Sequence, residues 1–334
     1  MINNCIIFGG SGFIGSHFTH FLLTNNLALN IFIYDISPPE SKFNLDSRYV
    51  RYIQGDVRLR INPSFFPPDI SLIVNLAAIH REPGHQDCEY YETNLLGAEN
   101  ITELAEAIGC ENIIFTSSIS PYGVSERIKD ENTLPLPATA YGVSKLVAEK
   151  IHRIWQAKDI SNRYLVIVRP GVVFGPGERG NVSRLIKAVI HRYFFFMGNK
   201  STRKAGVYVK ELCNAIWWVL QEQKKSGQSV SLFNMSMNPG PSIGEYVDAV
   251  CKTKGIKQFV PTVPYKLLIG IAYLIDALTK PFGIRHPFSP VRIRKLVRSN
   301  NIIPTYLVEQ GYQFKYSLDS AFADWNKSCP EEWQ

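Results

Sequence analysis

Residues 5–15 read Cys5-Ile6-Ile7-Phe8-Gly9-Gly10-Ser11-Gly12-Phe13-Ile14-Gly15. Four consecutive apolar residues are the pattern of a strand buried on both faces. The glycines at 9, 12 and 15 then let the backbone turn tightly into a helix whose apolar side runs through Phe18, Phe21 and Leu22. Such a turn brings main chain close to a ligand without side chains in the way, and the first N–H groups and dipole of the helix favour an anion there. With Phe13 and Ile14 between the last two glycines, the stretch predicts a cradle for the diphosphate of a dinucleotide. The next apolar run, Leu29 to Tyr34, ends on Asp35, twenty residues past Gly15. A carboxylate at that place accepts ribose hydroxyls and repels a 2′-phosphate, so NAD is expected over NADP.

Working outward, Tyr49 to Gln54 reads as a third strand, followed by Gly55-Asp56-Val57. Asp56 there serves either the adenine edge or a simple turn, and Val57 is expected beside it at the cofactor. Ile70 to Leu76 is a fourth apolar run ending in Asn75-Leu76-Ala77-Ala78, where small residues let a cofactor lie close. A helix over 89–108 carries Asn94 and Asn100, and Asn112 to Phe115 is the fifth strand. Strands alternating with helices predict an α/β fold, a doubly wound parallel sheet. The division expected is a dinucleotide domain over 1–172, to which about 205–235 returns, and a substrate lobe over 173–204 and 236–334.

Composition narrows the class. At 334 residues, with 45% hydrophobic and 19% charged residues, the chain is globular. Its six cysteines are scattered, with no CxxC pair, so neither a metal site nor a disulfide framework is indicated, and a reducing cytoplasm is expected. Met1 leads almost directly into the first strand, which argues against a cleaved signal. The net charge of +7 is unevenly placed: between Lys252 and Arg298 ten basic residues face one acid, Asp276, leaving the rest of the chain at −2. A basic balance confined to one segment points to a local anionic partner.

Strand five ends Phe115-Thr116-Ser117-Ser118, and 23 residues past Ser118 a helix opens Tyr141-Gly142-Val143-Ser144-Lys145. Residues four apart share a helix face, so the Lys145 ammonium can lie beside the Tyr141 phenol and draw its pKa from about 10 toward working pH, giving a base. The pair follows a complete cofactor fingerprint and sits where ligands bind in such sheets.

These residues resemble the extended short-chain dehydrogenase/reductase family, the NAD-dependent sugar-nucleotide epimerases and dehydratases. The match runs through Gly9, Gly12, Gly15, Asp35, Asp56, Asn75-Leu76-Ala77-Ala78, Asn94, Ser118, Tyr141, Lys145 and Arg169-Pro170-Gly171-Val172. The resemblance implies that Tyr141 is the general base and that Lys145 holds the nicotinamide ribose. Ser118 would bond the sugar hydroxyl, and Gly171 and Val172 would border the nicotinamide. It also implies an order of chemistry: Tyr141 takes the proton of the sugar 4-hydroxyl while hydride passes between C4 and NAD, the 4-keto sugar turns over, and both return to invert C4.

Beyond Val172 lies Gly175-Pro176-Gly177-Glu178-Arg179-Gly180-Asn181, a polar turn before a helix, with Asn181 facing a phosphate. Lys204 stands where relatives carry an arginine on the diphosphate, and Lys210 departs from the acid usual after Tyr208-Val209. Arg192 to Met197 reads as a buried strand. Tyr265 to Leu278 is apolar apart from Lys266 and Asp276 and is too short at 14 residues to span a bilayer. With its basic flanks it reads either as a helix lying on a membrane or as a core helix of the substrate lobe. His80-Arg81 and Arg179-Gly180-Asn181-Val182 resemble the branch of the family that epimerises N-acetylglucosamine on a polyprenyl diphosphate. That resemblance implies conversion to N-acetylgalactosamine on undecaprenyl diphosphate for surface polysaccharide such as O-antigen.

The substrate contacts expected are therefore His80, Arg81, Ser118, Ser120, Asn181, Lys204 and Arg292. The partners expected are a sugar diphosphate, an anionic membrane surface at the inner face of the plasma membrane, and a second copy of the chain, with no nucleic acid. The competing readings are a soluble UDP-sugar 4-epimerase, a steroid-type dehydrogenase and a redox-sensing regulator without catalysis. A 4,6-dehydratase is disfavoured, since its Asp-Glu pair is replaced by Ile119 and Ser120.

Overall fold

The computed structural model describes residues 2–40, 48–82, 84–279 and 290–334, except the side chains of Val291, Arg292, Lys295 and Leu296. Seven strands form one parallel sheet: β1 (Ile2–Phe8), β2 (Ala28–Asp35), β3 (Val50–Gln54), β4 (Ile70–Asn75), β5 (Asn112–Thr116), β6 (Tyr164–Pro170) and β10 (Val230–Met235). Their order is β10-β6-β5-β4-β1-β2-β3, so the strand order reverses direction between β1 and β4. Phe8 lies beside Tyr34 on one side and Asn75 on the other, which lines up the carboxyl ends of the three central strands. A ligand crevice opens at that reversal in sheets of this kind.

Both faces of the sheet are covered, which is why its strands are unbroken apolar runs. Side chains alternate across β1: Cys5 and Ile7 enter the core beneath α1 (Phe13–Thr24) and α5 (Val209–Ser226), while Ile6 and Phe8 enter the core beneath α2 (Asp87–Ala107) and α3 (Ala140–Ala157). The helix predicted over 89–108 begins two residues earlier because Gln86 and Glu89 form a capping box that fixes its start.

After β6 the chain leaves the sheet through β7 (Val172–Phe174), α4 (Asn181–Ile190), the two-residue β8 (Phe196–Met197) and β9 (Gly206–Tyr208), which pairs with β7. It returns through α5 and β10 and then builds α6 (Ile243–Lys254), β11 (Thr262–Val263), α7 (Tyr265–Thr279), α8 (Pro290–Val297), α9 (Thr305–Glu309) and α10 (Leu318–Ser328). Phe174, Tyr246, Phe322, Trp325 and Trp333 centre the core of this lobe. The buried strand expected over 192–197 shrinks to Phe196–Met197 paired with β11. Arg192 takes a left-handed φ of 62° that ends α4, and Tyr193 is left exposed.

α7 packs along one side only. Only Leu268 and Ala272 are buried, in a small core with Ile293 of α8. Leu267, Ile271, Leu274 and Leu278 fall along one helical stripe and are 55, 44, 62 and 63% exposed. The helix is therefore docked along one side and open along another. No described helix is long and apolar enough to cross a membrane.

Candidate active site

The glycine turn behaves as close backbone packing demands. Gly9 has φ 73°, and a Cβ there would lie 2.7 Å from the Ala77 nitrogen, so the turn rests directly on Leu76-Ala77. A Cβ at Gly15 would stand 2.4 Å from the Gly9 carbonyl oxygen. Gly12 is the N-cap of α1 and supplies no capping side chain, and the first turn, which holds Phe13 and Ile14, has no acid. The N–H groups at that end are thus left for an anion. The Ser11 hydroxyl in the same turn is buried without a hydrogen-bond partner. Asp35 accepts the Ser11 N–H at 3.1 Å and the Ser37 N–H at 3.2 Å, which holds its carboxylate beside the turn; burial raises its pKa against the pull of those bonds. An unpartnered donor, an uncapped helix start and an adjacent carboxylate fit a dinucleotide with a free ribose.

Several residues expected at the cofactor also hold the fold together. Asp56 closes a turn of its own, accepting the Arg58 N–H at 2.9 Å and pairing with its guanidinium at 2.6–3.0 Å, which holds the carboxyl below its usual range. Val57 is buried in the core, where Gly97 leaves room for it. Asn94 is buried and spends its amide on the loop after β4: its oxygen accepts the Ile79 N–H at 3.0 Å, and its NH₂ reaches the Ile79 carbonyl and the Ser144 hydroxyl. It shapes the Leu76-Ala77-Ala78 floor through its neighbour Ile79. Gly171 sits against Ala205, whose carbonyl oxygen would be 2.1 Å from an added Cβ, and Val172 donates its N–H to the same carbonyl. That glycine is required by the join between the sheet and the second lobe.

Tyr141 and Lys145 lie in the first two turns of α3, whose N-cap, Thr139, accepts the Gly142 N–H at 3.1 Å. Ser118 follows β5 and shares its hydroxyl with Ser120 at 3.2 Å, and it stands near enough to Tyr141 to ease the ionisation of the phenol. Lys145 is fully buried with its ammonium 4.4 Å from the centre of the Phe115 ring. Burial pulls it down to about 7, opposed by the Glu149 carboxylate one turn on. Burial likewise pushes Tyr141 up to about 12. The expected draw of Tyr141 toward working pH is therefore not met in the chain by itself, because burial outweighs the Ser118 hydrogen bond that favours the phenolate.

Sequence reading missed the group that holds this pair from below. Glu149, 2% exposed, accepts the Ser117 hydroxyl at 2.5 Å and both arms of Arg169 at 2.8 and 2.6 Å. Arg169 in turn lies over the Tyr122 ring, whose hydroxyl donates to Asn234 of β10. The spacing from Lys145 to Glu149 and the Arg169-Pro170 pair were visible signals for it. Behind Phe115 the His152 ring stacks at 4.2 Å. Its Nδ1–H donates to the Ala148 carbonyl, leaving Nε2 to accept from Asn75.

Of the substrate residues, His80 and Arg81 lie in the loop after β4 at the cleft mouth. His80 falls below the ordinary histidine range, first from shielding and then from the Arg81 and Lys145 cations. Asn181 opens α4 and is exposed. The Lys204 ammonium bonds the Arg298 carbonyl, which ties the segment after α8 to the lobe. Arg292 lies in α8 with its side chain outside the described residues. Lys210, which departs from the usual acid, pairs with Asp324 at 2.6 Å.

A family model described as the NAD dependent epimerase/dehydratase family matches residues 5–234. The chain belongs to that family. It is an enzyme, an NAD-dependent isomerase. Among relatives, the N-acetyl-alpha-D-glucosaminyl-diphospho-ditrans,octacis-undecaprenol 4-epimerase of Escherichia coli O157:H7 is 29% identical over 95% of this chain and 92% of its own length. The 3beta-hydroxysteroid-dehydrogenase/decarboxylase isoform 1 of Arabidopsis thaliana is 24% identical over 87% of this chain and 71% of its own. Among solved structures, MoeE5 in complex with UDP-glucose and NAD superposes with a TM-score of 0.75 at 21% identity, covering 99% of this chain and 100% of its own. That last likeness shows the family fold.

Proposed function

We propose that the protein inverts C4 of N-acetylglucosamine carried on undecaprenyl diphosphate, giving the N-acetylgalactosamine form for surface polysaccharide. The relative from Escherichia coli O157:H7, matched nearly end to end, supports the sugar and the carrier. The observation that carries the choice of carrier is the open stripe of Leu267, Ile271, Leu274 and Leu278. A soluble nucleotide sugar gives such a stripe nothing to do. Lys266 on α7 and Arg294 on α8, whose guanidinium lies over the Tyr273 ring of α7, are exposed and basic, so the surface joins apolar burial to attraction for anionic headgroups. The enzyme would then sit peripherally on the inner face of the plasma membrane, where a lipid diphosphate is presented. Exposed Leu96 on α2 and Ile154 on α3 offer a place for a second copy of the chain.

In this reading the Tyr141 oxygen removes the proton from sugar O4 and later returns it, while Ser118 holds O4 toward it. Lys145 binds the ribose and lends charge to the phenol. His80 and Arg81 at the mouth face the diphosphate. The glycine turn, the Ser11 hydroxyl and Asp35 hold the cofactor. NAD, when bound against the glycine turn and Asp35, would supply reversible hydride transfer at C4. Because the hydride returns, no net oxidation occurs.

The soluble UDP-sugar 4-epimerase is the second reading, favoured by a fold neighbour that holds UDP-glucose. The deciding experiment offers purified protein UDP-N-acetylglucosamine and, separately, N-acetylglucosamine on undecaprenyl diphosphate in vesicles, and measures the galacto epimer formed. Efficient turnover of the UDP sugar alone would replace the lipid-linked assignment.

A further inference from the structure

One carboxylate at the cleft belongs to none of the roles assigned so far. Glu82 follows His80 and Arg81 in the loop after β4, and its Oε2 accepts the Thr139 hydroxyl at 3.1 Å. Thr139 is the residue whose oxygen caps α3 by accepting the Gly142 N–H. The hydroxyl therefore donates outward to Glu82 and accepts inward from the helix start, so Glu82 is joined to the turn that carries Tyr141. The loop is fixed from a second side by Tyr90 of α2, whose hydroxyl donates to the Arg81 carbonyl and whose ring lies 6.0 Å from that of Tyr141.

We propose that Glu82 is a positioning residue for Tyr141, anchoring the first turn of α3 through Thr139 and setting a negative charge opposite the phenol. This rests on the reading of Tyr141 as the base. The charge has a defined direction of effect, because a carboxylate beside a phenol opposes phenolate formation. The groups that act on Tyr141 divide by side. Glu82 comes from the loop after β4, Tyr90 from α2 and Ser118 from the segment after β5, while Lys145 follows one turn on in α3 itself, with Glu149 acting on its ammonium. The Glu82 carboxylate and the Tyr90 phenol both make the Tyr141 phenol harder to ionise. Glu82 thus acts in the same direction as burial and against the Ser118 hydroxyl, which eases ionisation of the phenol.

The test uses the holoenzyme with NAD bound. Tyr141 ionisation is followed by ultraviolet difference titration against Tyr141→Phe, alongside the pH dependence of turnover. Glu82→Gln keeps an oxygen for the Thr139 hydroxyl and removes the charge, so the Tyr141 inflection and the acid limb of the rate profile should both move down by about 0.5–1 pH unit. Glu82→Asp keeps the charge and should titrate near the wild type. An unshifted Glu82→Gln overturns the proposal, as does an equal shift in Glu82→Asp, which would mark a packing effect. If Tyr141→Phe turns over normally, the base reading falls and this inference with it. If Tyr141→Phe is inactive and Glu82→Gln is unshifted, only the inference falls.

Discussion

β4 and α7 are both apolar runs, and the fold treats them oppositely. In Ile70–Asn75 every residue but Ser71 is buried, because helices cover the sheet on both faces. In Tyr265–Thr279 two residues are buried, while a leucine and isoleucine stripe faces outward. Apolar content alone does not decide burial; the number of layers packed against an element does. The sheet's apolar residues are accounted for by the fold. Those of α7 are not, and an exposed contiguous apolar surface asks for a partner. The same contrast separates two kinds of site: a base buried among fixed partners, and an open face that acquires one.

The largest expected effect lies at the closed site. Tyr141→Phe should leave fold and NAD binding intact and lower turnover by about 10²–10⁴-fold, the worth of a positioned acid–base group. Steady-state rates on the preferred sugar diphosphate check it, and near-normal turnover would remove Tyr141 from the chemistry. Next comes a direct test of burial. Ile73→Ala in β4 should cost about 2–5 kcal/mol in denaturant unfolding, through lost transfer energy and the cavity left behind. A loss under about 1 kcal/mol would mean that the sheet is not the closed layer described.

The third expectation concerns a buried charge that works against the fold. Lys145 titrates at about 7 in the folded chain against 10.5 when unperturbed. Between those values the unfolded state binds more protons, so stability rises with pH across that window. The cost of charging the buried ammonium is full below about pH 7 and fades toward 10.5. Lys145→Met should therefore melt higher than wild type at pH 7, with a gap that closes as pH rises, while losing most of its affinity for NAD. A gap that widens with pH would reverse the assignment, and one that is flat would remove the charge from the account.

Sequence pattern and structure part company at identifiable residues. The glycine turn, Asp35, the sheet and the Tyr141–Lys145 spacing were legible because each is a local pattern tied to one backbone geometry. The partners of Asp56 and Asn94, Arg58 in one case and Ile79 with Ser144 in the other, were less so, since they are chosen by side-chain packing that spacing does not encode. The Arg169–Glu149 pair joins residues 20 apart from two elements. The chain after α8 returns beside Lys204, whose ammonium bonds the Arg298 carbonyl, a contact 94 residues away that spacing does not encode. The strand expected over 192–197 failed at Arg192, where a left-handed residue ends α4 and throws Tyr193 outward.

The smallest effect is the most informative about α7. Ile271→Ala and Leu274→Ala remove side chains that are 44 and 62% exposed, so little packing is lost and the melting temperature should barely move. The same kind of truncation at Ile73 is expected to be severe, which makes the pair a measured form of the contrast between closed and open surfaces. If the stripe meets a bilayer, each truncation forfeits about 1 kcal/mol of apolar burial there, roughly fivefold in vesicle affinity. The double variant should then sediment less with anionic vesicles at low salt, turn over lipid-linked sugar in vesicles more slowly, and keep its rate on a short soluble analogue. Charge and apolar area add in such attachment, so raising salt should weaken what binding remains. A double variant that unfolds early would place the stripe in a core, and one that binds vesicles like wild type would give α7 some other partner.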